Sequence, residues 1–216
     1  MNNISTEHWR ISQWFPNLNN ASIQKLQKYN ALLSKFNKTL NLVSPKTLPF
    51  ADAIHFADSI LAINEITKSY KVDELYDFGS GNGFPGIVFS ILYPDIPVTL
   101  VDSDERKCEF LKTVKSDLDL KNLKVLNQTI ESLPTDSVKF GICRGLSSIS
   151  KAILATRKLF KVGGVFFHMK GEGWASEIAE IPTQLCSFWT PALVSEYRLP
   201  IGEIKFAVVK TEKIAN

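Results

Sequence analysis

The stretch Leu75-Tyr76-Asp77-Phe78-Gly79-Ser80-Gly81-Asn82-Gly83-Phe84-Pro85-Gly86 holds the residues best suited, by type and spacing, to bind a ligand. Leu75–Phe78 reads as a strand running into glycines, with Pro85 near a helix start. Glycines there reach positive φ and let backbone N–H groups approach a ligand. Gly81, Gly83 and Gly86 fit the dinucleotide pattern G-x-G-x-x-G, which a plain structural turn also satisfies. Asp77, just ahead of Gly79, adds information. An acid there would repel a pyrophosphate, whereas S-adenosylmethionine brings an ammonium and a sulfonium that it would attract. The other role open to Asp77 is a turn or helix cap. Asp102 closes Leu100-Val101-Asp102, 23 residues after Gly79, near the spacing at which an acid accepts from ribose hydroxyls. Both cofactors carry ribose, so Asp102 supports a nucleoside without choosing between them. Asp77 favours S-adenosylmethionine, and an NAD-dependent oxidoreductase remains the alternative on the glycines alone.

The chemistry past the cofactor is read from Gly141-Ile142-Cys143-Arg144-Gly145. Enzymes that methylate exocyclic amines carry Asp/Asn-Pro-Pro-aromatic at this place, and this chain does not. A C5-directed thiolate commonly sits beside proline. Cys143 lacks one and reads as a small buried cysteine. Arg144, a cation at a strand end, suits a nucleobase oxygen or a phosphate, with a surface salt bridge as the competing role. Guanine N7 is an attractive acceptor, because its own lone pair can attack and no base is needed, although the absence of a base does not by itself identify N7. The sequence around the three histidines, His8, His55 and His168, makes no Ser-His-Asp or Cys-His arrangement evident. With such an acceptor, catalysis would be mainly positioning and electrostatics. Cys108, Cys143 and Cys186 are widely spaced with no Cys-x-x-Cys pair, so neither a metal site nor a disulfide scaffold is expected.

These residues need a frame. The chain has 216 residues, 44% hydrophobic and 22% charged, which is globular usage. Residues 1–70 read as helical. Ile11, Trp14 and Phe15 share a face before Pro16; Ser22 is a candidate cap for a helix carrying Ile23, Leu26, Tyr29, Leu32, Leu33 and Phe36; a third helix spans about 50–68. From residue 72, apolar runs at 75–78, 98–101, 124–126, 140–143 and 164–169 alternate with helical stretches at 85–92, 105–118 and 149–160. That alternation predicts a parallel sheet with helices on both faces. The tail, 187–199 and 205–210, reads as an antiparallel hairpin. The net charge of +3 conceals −6 over residues 71–105 and +8 over 106–170. The N-terminus lacks a basic and apolar leader, and no apolar run is long enough to span a membrane. A cytoplasmic protein is expected.

The loop, its acid and the hairpin resemble the class I methyltransferase fold. That implies a Rossmann-like, mostly parallel seven-stranded sheet in the order 3-2-1-4-5-7-6 with an N-terminal helical extension: residues 1–70 as the extension packed on the core, 71–216 as the methyltransferase domain. Across residues 20–214 the order of segments is similar to the glucose-inhibited division protein B family, bacterial guanine-N7 methyltransferases of 16S ribosomal RNA. The carriers are Tyr29-Asn30-Ala31-Leu32-Leu33, Asn41-Leu42-Val43-Ser44, His55 with Asp58-Ser59, the loop ending Phe84-Pro85-Gly86-Ile87, Asp102-Ser103 with Arg106-Lys107, then Glu131, Arg144 and Lys170-Gly171.

The resemblance implies an S-adenosylmethionine-dependent enzyme, active as a monomer on 16S rRNA of the small subunit or its precursor, with no membrane partner. It implies that Gly79, Phe84, Ile130, Glu131 and Arg144 contact the cofactor beside Asp77, Gly81, Gly83 and Asp102. Ile130 and Glu131 would frame the adenine, and Arg144, the catalytic candidate, would lie between cofactor and guanine. Arg106, Lys107, Lys170 and Lys205 would face RNA; for Lys170 a strand-end salt bridge is the other role. Against the family pattern, Ile54, Glu109 and Ile204 stand where arginine or histidine is usual, and Gly145 replaces alanine. These departures bear on the RNA surface more than on the cofactor pocket. An rRNA-binding protein of the same fold without activity is therefore the second alternative. His55 reads as a helix-interface histidine.

Overall fold

The computed structural model describes residues 9–203 and 205–216. His8 and Ile204 lie outside the described residues. Helix α1 (Ile11–Trp14) precedes α2 (Asn20–Leu40). The cap of α2 differs from expectation. Asn19 accepts from the Ser22 amide at 2.8 Å, while Ser22 faces the interior. The carboxamide of Asn19 reaches the third amide of the helix, the usual N-cap geometry. Leu26, Tyr29 and Leu33 form the buried stripe of α2.

The third helical stretch is composite. A 3-10 turn (Leu48–Phe50) and a π-helical segment (Asp52–Ala57) lead into α3 (Asp58–Ser69). π-Segments widen a helix by one residue per turn and cluster at functional sites. Here the segment carries His55 and delivers Asp58.

Seven strands follow: β1 (Leu75–Phe78), β2 (Val98–Asp102), β3 (Leu123–Asn127), β4 (Val138–Arg144), β5 (Phe160–Lys170), β6 (Trp189–Arg198) and β7 (Lys205–Lys213). Their order is β3-β2-β1-β4-β5-β7-β6. The first five pair parallel, and β7 is antiparallel to both β5 and β6. Helices α4 (Gly86–Leu92), α5 (Glu105–Asp117) and α6 (Ile149–Thr156) link the parallel strands. Strand β5 begins at Phe160 and α6 ends at Thr156, so the helix is shorter and the strand longer than the apolar runs suggest. Two short helices, α7 (Trp174–Ala179) and α8 (Thr183–Cys186), precede β6.

Successive strand residues enter different cores. Ile142 and Phe167 join the cluster that contains Leu26, Leu33, Ile87 and Phe110; Cys143 and Phe166 join the one around Ile149 and Trp189. Continuous apolar strands of this kind are what a sheet covered on both faces requires. The strand order reverses at β1, between β2 and β4. In open α/β sheets the crevice beyond the strand ends at such a point is where ligands bind. Asp77, Asp102 and Arg144 all stand at or near those ends.

Candidate active site

The loop after β1 is pinned from several sides. The Gly79 and Ser80 amides donate to the Val101 carbonyl, and Ser80 Oγ accepts from the Val101 amide at 3.0 Å. The Tyr29 hydroxyl donates to the Asn82 carbonyl at 2.5 Å, and Asn82 Nδ2 donates to the Leu42 carbonyl. Gly83 has φ +93, and a Cβ there would run into Ile87 and the Tyr29 hydroxyl. Glycine is thus required twice over, by conformation and by space.

Asp77 is fully buried. Its Oδ2 accepts from the Gly86 amide at 2.8 Å, so the acid occupies the first amide of α4, the place a pyrophosphate would need. The capping role is therefore real. Its Oδ1 is buried with no partner. Burial pushes the carboxyl up to about 7, against the downward pull of the Gly86 amide and Arg144. A buried acceptor without a donor is costly, and an ammonium is a fitting partner for it. Asp102 accepts from the Gly81 amide at 2.7 Å through Oδ2 and from the Asp104 amide through Oδ1. A cavity of about 190 Å³ opens between Gly79, Asp102, Ile130, Glu131 and Leu146. Three strand ends thus bring four of the expected cofactor residues to one hollow. The lining fits the nucleoside end of S-adenosylmethionine, with Asp102 for its ribose and an apolar wall at Ile130 for its adenine, while the buried Asp77 is not among the lining residues. A larger groove of about 690 Å³ lies at the other end of the sheet, by Arg157, Phe188 and Lys213, and contains none of these residues.

Phe84 and Arg144 form a second group beside the hollow. Phe84 stacks on Tyr29 and His55 and meets Phe56 edge-on. The Arg144 guanidinium sits 5.1 Å over the Phe84 ring. Its Nη1 donates to the Ile54 carbonyl (3.3 Å), His55 Nδ1 (3.1 Å) and Asp58 Oδ2 (3.2 Å). Arginine only donates, so His55 Nδ1 accepts and the proton sits on Nε2. Burial, helped by Arg144, pushes His55 down to about 3. Its Nε2 is buried and unpartnered. The histidine is thus the interface residue expected, bridging the N-terminal helices to β4. Cys143 is buried, and burial pushes its thiol up to about 12, which makes it no nucleophile.

The family model described as rRNA small subunit methyltransferase G matches residues 22–190. Ribosomal RNA small subunit methyltransferase G 3 of Bdellovibrio bacteriovorus is 56% identical over 209 residues, covering 96% of this chain and 95% of that one. The corresponding protein of Ruthia magnifica is 33% identical over 185 residues, covering 85% and 89%. The chain belongs to the rRNA small subunit methyltransferase G family. In fold, the chain is similar to the YcgJ protein of Bacillus subtilis, with a TM-score of 0.56 at 14% identity, over 75% of this chain and 100% of that one.

The candidate RNA cations are placed unevenly. Arg106 and Lys107 stand in the first turn of α5, beside the glycine loop's edge of the sheet. Arg106 reaches the Thr39 carbonyl at the end of α2, and Lys107 lies 3.8 Å from Asp104. Lys205 is exposed at the start of β7. Lys170 is held inward: its ammonium donates to the Ser147 carbonyl and to Glu177 Oε2 at 2.7 Å. That is the strand-end salt bridge. Sequence reasoning assigned no role to Asp58, Ser80, Asn82 or Tyr197. Asp58 and Tyr29 carried a signal in the family segments, whereas nothing local marked Tyr197.

Proposed function

We propose that this chain transfers a methyl group from S-adenosylmethionine to N7 of a guanine in 16S rRNA. The observation that carries the cofactor is Asp77. Its carboxylate occupies the amide a pyrophosphate would use and keeps a buried oxygen free for a cation. When bound, the cofactor supplies an electrophilic methyl on a sulfonium, which leaves as a neutral thioether while the guanine takes up the positive charge. Asp77 and the glycine loop hold the methionine end, Asp102 the ribose, and Ile130 with Glu131 the adenine. Arg144 stands at the junction with the base. Its Nε and Nη2 make no hydrogen bond to the described residues, so they are available to a guanine O6. N7 keeps its lone pair for the new bond and has no proton to lose. Both described histidines support a mechanism without a base. His55 is tied to Arg144, and His168 is buried against Cys143 and Thr211.

In this reading residues 1–70 form a helical extension that closes the pocket of the 71–216 domain. Arg106, Lys107 and Lys205 meet RNA. The chain works as a cytoplasmic monomer on the small subunit or its precursor.

Calorimetry with adenosylhomocysteine and NAD tests the cofactor, and binding of NAD alone would overturn it. Labelled methyl transfer to small-subunit particles from a strain lacking the gene tests the activity, with the product nucleoside expected to be 7-methylguanosine. Cofactor binding without incorporation would point instead to an inactive RNA-binding protein.

A further inference from the structure

We propose that Asp58, braced by Tyr197, is a positioning residue for methyl transfer. It sets the angle of the Arg144 guanidinium and cancels its charge. The inference rests on the reading of Arg144 as the group between cofactor and guanine.

The geometry is one-sided. All three contacts of Arg144 go to Nη1, and all come from one turn of helix: the Ile54 carbonyl, His55 Nδ1 and Asp58 Oδ2. The Phe84 ring closes one face of the guanidinium plane. The Nε and Nη2 edge makes no hydrogen bond to the described residues. Of the three contacts, Asp58 alone can carry a countercharge: burial pushes its carboxyl up, and Arg144 and the Tyr197 hydroxyl pull it back toward the ionised form. Its side chain is 4% exposed, and its other oxygen accepts from the Tyr197 hydroxyl at 2.7 Å. Tyr197 lies on β6, 139 residues away in sequence. The carboxylate is therefore held from both sides and cannot swing with the arginine. A planar fork held this way presents its free edge in one orientation.

The charge matters as much as the angle. As the N–C bond forms and the C–S bond breaks, one positive charge passes to the purine. An unpaired guanidinium touching that purine would oppose the arrival of charge; paired with a buried carboxylate it is neutral overall, while its N–H groups still donate. Ground-state binding gains little from the pair, so its effect falls on the transition state.

The test uses Asp58→Asn and Tyr197→Phe in the full chain. The assays are methyl incorporation into unmodified small-subunit particles and adenosylhomocysteine titration. Asp58→Asn keeps an acceptor but removes the charge. Its kcat is expected to fall about 100-fold, the scale of a misplaced catalytic group, with cofactor Kd, binding stoichiometry and KM for particles within about twofold of wild type. Tyr197→Phe loosens the brace only, and a loss of about tenfold in kcat is expected, the low end of the scale for a lost supporting partner. Paired with Arg144→Lys, Asp58→Asn should add little further loss, because both changes remove one unit.

A purely structural Asp58 would instead lower the binding stoichiometry along with activity. That result overturns the proposal, as does wild-type kcat in a folded Tyr197→Phe, or losses that multiply in the double variant. Should Asp58→Asn not fold, Tyr197→Phe decides by itself. A wild-type chain that transfers no methyl would sink the parent reading and this inference with it. An active wild type with indifferent variants sinks the inference alone.

Discussion

Asp77 joins two facts that pull in opposite directions: one oxygen caps the Gly86 amide and the other has no partner. The cost of that burial is visible in its carboxyl, which is raised to about 7. An unfolded aspartate titrates near 3.9. Between those values the folded chain keeps a proton that the unfolded chain has released, so stability falls as pH rises through the window. The size is about 4 kcal/mol across the whole interval. Urea unfolding at several pH values should show this slope in wild type and a flatter one in Asp77→Asn; identical slopes would refute it. A cationic ligand on the free oxygen would pull the carboxyl back down, so cofactor binding near pH 6 should release a proton. Calorimetry in buffers of different ionisation enthalpy reads that release directly. Asp77 and Asp102 were legible in the sequence as acids at strand ends, since type and spacing sufficed. That one oxygen of Asp77 is left over was not, because it depends on what surrounds the side chain.

At the scale of elements, the 50–68 stretch teaches most. Apolar spacing marks it as helical, and the structure divides it into a 3-10 turn, a π-segment and α3. Apolar spacing over a segment of six residues is too short to register the extra residue per turn. Outside contacts hold the π-segment. Arg10 grips Asp52 with two hydrogen bonds of 2.9 Å, and its guanidinium lies 4.6 Å over Trp14. Asp52 is 3% exposed and Arg10 28%. Removing Arg10 therefore strands a nearly buried carboxylate at the head of the segment that presents His55 and Asp58 to Arg144. Arg10→Ala should lower unfolding free energy by about 2 kcal/mol, less than a fully buried pair because the arginine side is partly wet. It should also weaken methyl transfer through the displaced π-segment. Denaturant unfolding beside an activity assay checks both, and unchanged stability would remove the anchor role.

For the whole molecule, the uneven charge has a place to act. The −6 block contains the glycine loop and Asp102, and the +8 block begins with Arg106 and Lys107 in α5. A cationic cofactor and an anionic RNA would meet along that edge of the sheet. Replacing Arg106 and Lys107 by alanine should raise KM for particles about tenfold and reduce the salt dependence by roughly one to two phosphate contacts. Adenosylhomocysteine affinity should stay unchanged. Equal salt slopes would exclude these residues from RNA contact. Lys170→Ala should act otherwise, through stability, because Glu177 already holds its ammonium.

The sequence by itself determined the alternation of strands and helices, the glycine loop with its two acids, and the family. Those are local patterns in which residue type and spacing carry the physics. Only the tertiary structure decided that α2 clamps the loop through Tyr29, that Lys170 turns inward, and that Tyr197 reaches Asp58 behind Arg144. The Tyr29 and Tyr197 contacts join residues 53 and 139 positions apart, and Lys170 also reaches back 23 positions to Ser147; short-range periodicity holds no information about which of them will meet.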